Sequence, residues 1–121
     1  MAAWINHTQS LLDFELAPGA RIGLDTEFMR TDSFAPKLAL IQIEIDAQIA
    51  LIDPLADIDM SILAKRLGDP GTVSIMHSAS EDLDALGSLL PNSLGTLFDT
   101  QIAAAFCGLG AGLGYPKLVL A

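Results

Sequence analysis

Cysteine is nearly absent, and the lone Cys107 excludes both an intrachain disulfide and a CxxC zinc site. A single thiol fits a reducing, cytoplasmic setting. Positive charge is scarce too. Six Lys and Arg stand against fifteen Asp and Glu, a net charge of −9, which is the wrong sign for gripping phosphates by counterion release. Bound divalent cations reverse a local field, however, so a nucleic-acid site built on carboxylates survives that objection. Long hydrophobic runs are missing. The mean hydropathy is +0.47, yet charges, Gly and Pro break every run well short of the roughly 18 residues of a membrane span. No membrane partner is expected. The N-terminus, Met-Ala-Ala-Trp and then Asn6, His7, Thr8 and Gln9, has neither the basic region nor the apolar stretch of an export signal.

What is present is apolar material: 51% of 121 residues are hydrophobic, enough for one substantial core. Strand-like and helix-like segments alternate, which favours an α/β layer architecture. Segments 21–28 (RIGLDTEF) and 38–45 (LALIQIEI) have strand length and alternation. A third apolar run, 49–53, comes after the short link Asp46-Ala47-Gln48, so these two strands are expected to form an antiparallel hairpin. Ile58, Ile62, Leu63 and Leu67 are spaced for a helix that Gly68-Asp69-Pro70-Gly71 ends. A short buried strand is expected over 72–76. Behind it, Ser78-x-x-Glu81 has the form of a capping box opening a helix over 80–90, with Pro91-Asn92 as its stop. A last strand is expected over 94–98, then a helix from an Asp99 cap through Ala105. The glycines at 108, 110, 112 and 114 form a loop, and Tyr115-Pro116 starts another helix.

Asp25-Thr26-Glu27 lies at the end of an apolar strand. Side chains alternate there, so Asp25 and Glu27 share one face while Leu24, Thr26 and Phe28 share the other. Two adjacent carboxylates repel unless a cation lies between them. One reading is a divalent metal site of hard oxygen ligands suited to Mg²⁺ or Mn²⁺; the blander one is a solvated strand end. Asp82 falls in the first turn of its helix, where the positive end of the dipole favours a carboxylate. With Glu81 assigned to the capping box and Asp84 to solvent, Asp82 is the one left to face the strand ends. His77 reads as a hydrogen-bonded structural residue. The glycine loop lacks the Gly-Lys-Ser/Thr of a phosphate loop, and no G-x-S-x-G surrounds Ser78 or Ser80.

Together, Ile22 to Phe28 (IGLDTEF), Pro36 to Ile43 (PKLALIQI) and His77 to Leu83 (HSASEDL) closely resemble the ribonuclease D family of DEDD-type 3′-5′ exonucleases, in order and spacing as well as in wording. Phe98-Asp99-Thr100-Gln101 resembles the segment after these. The similarity runs from about Trp4 to Val119. It implies a ribonuclease H-like mixed sheet flanked by helices, with the strand carrying Asp25 in its interior. Asp25 and Glu27 fall on the family's first motif and Asp82 on the aspartate of its second. The third motif, a tyrosine four residues before a fourth aspartate, has no counterpart here, because the residue four after Tyr115 is Val119. Residues 1–121 are therefore expected to form a partial exonuclease domain, incomplete at the C-terminus and without the family's helical nucleic-acid-binding region.

The resemblance implies two-metal hydrolysis of phosphodiester bonds at an RNA 3′ end, presented as a single strand such as that of a tRNA precursor. In that scheme Asp25 bridges two Mg²⁺ or Mn²⁺ ions, Glu27 serves the ion that activates water, and Asp82 helps hold the second. The chain by itself is expected to be nearly inactive and to self-associate through surface that missing helices would cover. Two alternatives stay open: a proofreading DNA 3′-5′ exonuclease, and a non-catalytic exonuclease-like module that binds RNA or protein.

Overall fold

In the computed structural model, residues 2–30, 36–90 and 94–121 are described. The elements, in chain order, are β1 (Ala2–Ile5), α1 (Thr8–Asp13), β2 (Arg21–Met29), β3 (Lys37–Ile45), β4 (Gln48–Ile52), α2 (Met60–Leu67), β5 (Val73–Met76), α3 (Ser80–Gly87), β6 (Thr96–Asp99), α4 (Thr100–Phe106) and α5 (Tyr115–Leu120). The six strands form one mixed sheet in the order β1-β4-β3-β2-β5-β6. β2, β3 and β4 run as an antiparallel meander, whereas β1, β5 and β6 join in parallel. The strand carrying Asp25 is interior, as expected.

Alternation decides which face is buried. Ile22 and Leu24 of β2, Ile41 and Ile43 of β3, and Ala50 and Ile52 of β4 turn to one side and pack with Leu11, Leu63, Leu67, Ala85 and Leu86 from α1, α2 and α3. The registers Asp25↔Gln42, Gln42↔Leu51 and Trp4↔Leu51 put these four residues in one row on the opposite side. That open face is where the acidic strand end lies.

The β3–β4 hairpin closes tightly. Ile45 pairs with Gln48, so the turn is the two residues Asp46 and Ala47, at φ 49° and 63°. Paired left-handed residues match the twist of a hairpin, and a side chain at the second of them is strained. Gly95 is needed for another reason. A Cβ there would lie 1.9 Å from the Asp69 carbonyl oxygen, so the chain can cross only without one.

Several boundaries differ from the sequence expectation. β1 and α1 were not anticipated, because four and six residues show no readable period; β1 exists by pairing with β4. The helix expected over 58–67 begins at Met60, capped by Asp59 accepting the Ser61 N–H at 3.1 Å, while Ile58 packs against the core before it. The helix expected over 80–90 ends at Gly87, a poor helix former, and the N–H groups of Leu89 and Leu90 turn back onto the Leu86 carbonyl. Its expected stop, Pro91-Asn92, lies outside the described residues. The last strand begins two residues later than expected, at Thr96, and runs through Asp99. No helix among the described residues is long and apolar enough to cross a membrane.

The turn gives a stability prediction. Ala47→Gly should raise the unfolding free energy by about 0.5–1 kcal/mol, the left-handed penalty outweighing the extra entropy of glycine in the unfolded chain. Urea unfolding of the two proteins checks it, and a destabilised variant would contradict the turn geometry.

Candidate active site

β2 delivers Asp25 and Glu27 to solvent on the open face, while Thr26 between them is 5% exposed on the packed face. Pairing with β3 on one side and β5 on the other fixes the strand that carries them. The β2–β3 register shifts between Glu27 and Phe28. Such a bulge bends a strand and re-aims the side chains beyond it. Asp25 also turns one oxygen back on its own chain, Oδ1 accepting the Thr26 N–H at 2.9 Å.

Asp82 comes from the first turn of α3, which packs against β2 and β3. It is only 9% exposed, and the Thr26 hydroxyl donates to its Oδ1. Burial pushes the Asp82 carboxyl above the usual carboxylate range. The Thr26 hydrogen bond works against that rise, and the negative charges of Asp25, Glu81 and Glu27 add to it. Asp82 therefore lies close enough to Asp25 and Glu27, at one end of β2, to feel their charge. Their geometry is less convergent than their charges: Asp82 engages Thr26 rather than Asp25 or Glu27. Among the described residues, no three His, Cys, Asp or Glu side chains group as a metal ion would need.

The capping box expected at Ser78-x-x-Glu81 is not formed. Ser78 is held at φ 56°, and α3 has Ala79 at its N-cap with no side-chain bond. Asp99 takes that role from the neighbouring strand. Its Oδ1 accepts the Ser78 N–H at 3.0 Å and its Oδ2 the Ala79 N–H at 2.9 Å. The same carboxylate caps α4 as expected, accepting from Gln101 N at 2.9 Å and Ile102 N at 3.4 Å. Burial opposes ionisation of Asp99, but the N–H donors of Ala79, Ser78, Gln101 and Ile102 outweigh it and hold the carboxyl below its usual range. Freed from a cap, Glu81 pairs instead with Arg30, at 3.3 Å.

Beside Asp25 the open face forms a groove of about 590 Å³, lined also by Gln42, Glu44, His77, Thr100 and Tyr115. His77 is a structural tie, as read from the sequence. Its Nδ1 lies 2.8 Å from Thr100 Oγ1 and its Nε2 2.9 Å from the Leu113 carbonyl, which moors the glycine loop to the end of β5. Tyr115 stacks edge-on against it at 5.6 Å. Thr26 and the second set of Asp99 bonds escaped the sequence reading, since no local spacing encodes a contact between distant segments.

Residues 3–120 match the sequence model of the 3′-5′ exonuclease family. The chain belongs to that family. Its relatives are of the ribonuclease D type. Ribonuclease D of Xanthomonas oryzae is 48% identical over 123 residues, covering 98% of this chain and 33% of that protein. Ribonuclease D of Escherichia coli K12 is 43% identical over 98 residues, covering 81% of this chain and 26% of its own. The crystal structure of E. coli RNase D, an exoribonuclease involved in structured RNA processing, matches with a TM-score of 0.88 at 36% identity, over 98% of this chain and 32% of that one. The mixed sheet is thus the ribonuclease H-like fold expected. The chain spans about a third of the length of the X. oryzae relative.

Asp82 and Asp99 respond to pH in opposite directions. Asp82 is raised in the folded state, so its ionisation costs stability that is fully present below the ordinary value near 3.8 and lost as pH rises through the folded value. Without divalent metal, Asp82→Asn should melt higher than the parent at pH 7 and lose that advantage near pH 3.5; a pH-independent difference would contradict the burial. Asp99 is lowered, so its contribution is present above the unfolded value and lost as pH falls through the folded one. Asp99→Ala should cost about 1–2 kcal/mol at pH 7 in denaturant unfolding, as the N–H groups at two helix starts lose a charged acceptor. A loss below about 0.5 kcal/mol would mean that water replaces it.

Proposed function

We propose that the protein carrying this chain is a metal-dependent 3′-5′ exoribonuclease that trims RNA 3′ ends, with Asp25, Glu27 and Asp82 as its catalytic carboxylates. The observation that carries this reading is the Asp25-Thr26-Glu27 strand end with the buried Asp82 beside it, in a chain matched to exonucleases over residues 3–120. The donor chemistry fits a pair of Mg²⁺ or Mn²⁺ ions. The carboxylates offer hard oxygens, and the burial and mutual repulsion that raise Asp82 are what a bound cation would relieve. When bound, two such ions lower the pKa of an attacking water and stabilise the leaving 3′-oxygen.

The chain's own residues supply the holding and orienting. Asp25 would serve both ions, Glu27 the one nearest the attacking water, and Asp82 the other, with Thr26 positioning Asp82 through its hydroxyl. The groove beside Asp25 has room for a terminal nucleotide. A single-stranded 3′ end, as of a tRNA precursor, is the substrate we infer, and the exoribonuclease character of the E. coli relative supports RNA over DNA.

We read residues 1–121 as the front part of the exonuclease domain, since the chain spans about a third of its X. oryzae relative. Taken alone it counts three of four expected carboxylates and no water-orienting tyrosine, so its turnover should be very low. Phe106 and Leu120, 89% and 87% exposed, support self-association of the isolated chain. The single Cys107 supports a cytoplasmic setting.

Asp25→Asn in the complete protein should abolish Mn²⁺-dependent shortening of a 5′-labelled single-stranded RNA, by at least about a hundredfold, while leaving the melting temperature within a few degrees. The isolated 121-residue chain should be near the background of the same assay. Normal trimming by the variant would remove Asp25 from catalysis, and full trimming by the isolated chain would make the third motif dispensable.

A further inference from the structure

Arg30 comes directly after Met29, the last residue of β2 and two residues beyond Glu27. Its Nη2 lies 3.3 Å from Oε2 of Glu81, with the two side chains 62% and 60% exposed. Glu81 precedes Asp82 in the first turn of α3. The pair therefore spans the two segments that carry the candidate carboxylates. Lys37, paired with Met29 across the β2–β3 ladder, brings a second cation to the same strand end. The whole chain has six Lys and Arg and a net charge of −9. Two of those cations thus stand at the same end of the β2–β3 pair, just beyond Glu27.

An ion pair this exposed is weak and exchanges readily with other ions. Its acceptor is a monovalent carboxylate on a solvated helix turn. A phosphodiester presents two oxygens that match the planar guanidinium fork, and it forms bidentate contacts of the same kind. Glu81 has no capping duty, because Asp99 holds the start of α3. Among the described residues, nothing requires the Arg30 and Glu81 side chains to stay together.

We propose that Arg30 exchanges Glu81 for a backbone phosphate of the RNA strand whose 3′ end lies among Asp25, Glu27 and Asp82, with Glu81 competing against the substrate for it. This rests on the exoribonuclease reading. Arg30 is then a positioning residue, setting how far the strand advances into the groove, and Glu81 keeps the cation aimed at the site when no strand is bound. The competition also opposes binding of strands too short to place a phosphate at Arg30.

The test is fluorescence anisotropy of a labelled, mixed-sequence single-stranded oligoribonucleotide with the complete protein in the Asp25→Asn background, over a range of salt concentrations. Arg30→Ala should weaken binding about tenfold at low salt and reduce the slope of log affinity against log salt by about 0.7, one phosphate contact on a single strand. Arg30→Lys should restore the slope but only part of the affinity, since a point charge replaces the fork. Glu81→Gln should tighten binding. A purely structural ion pair predicts instead that Arg30→Ala and Glu81→Gln weaken binding alike and leave the slope unchanged, and that result overturns the proposal. An Arg30→Ala protein with the parent's affinity and slope overturns it as well. If the parent binds no RNA at any salt, the exoribonuclease reading falls together with this one.

Discussion

One carboxylate, Asp99, ties together the parts on which the site depends. It closes β6, caps α4 and receives the first two free N–H groups ahead of α3. These donors come from segments about twenty residues apart, so the bond fixes where α3 begins relative to the end of the sheet. Asp82 lies three residues into that fixed start. A helix with no side-chain cap of its own would otherwise fray at the very turn that carries the acid. The strained φ of 56° at Ser78 is tolerated because the carboxylate holds the N–H groups of Ser78 and Ala79 together.

The sheet divides labour by parity. Ile22, Leu24 and Thr26 join the core while Gly23, Asp25 and Glu27 face the groove side, so one strand both anchors the fold and presents the acids. Thr26 links the two functions, since a packed-face hydroxyl holds the one acid that arrives from a helix. The arrangement gathers like charges in a partly desolvated place, which costs stability in the absence of a cation. Asp99 shows the converse: its charge is kept by four N–H donors and strengthens the fold.

Much of this was legible in the sequence, for identifiable reasons. Period-two alternation in RIGLDTEF put Asp25 and Glu27 on one face, and the short link after Ile45 gave the hairpin. Asp99 was readable as a cap for the helix after it, because that bond is local. Its bonds to Ser78 and Ala79 were not readable, and the local capping-box pattern pointed to the wrong partner; a long-range acceptor displaced it. β1 escaped because a four-residue strand exists only through its pairing with β4. The family resemblance located Asp82, but neither spacing nor resemblance foretold that Thr26 would hold it.

The central claim is that Asp25, Glu27 and Asp82 act as one cation-binding set at the end of β2. Anomalous diffraction from crystals of the complete protein soaked in Mn²⁺ tests it most directly. The account predicts a peak with Asp25 and Asp82 oxygens at about 2.0–2.2 Å, the range of small divalent ions on carboxylates. Mn²⁺ bound elsewhere, with Asp82 still on Thr26 and no peak beside Asp25, would contradict it.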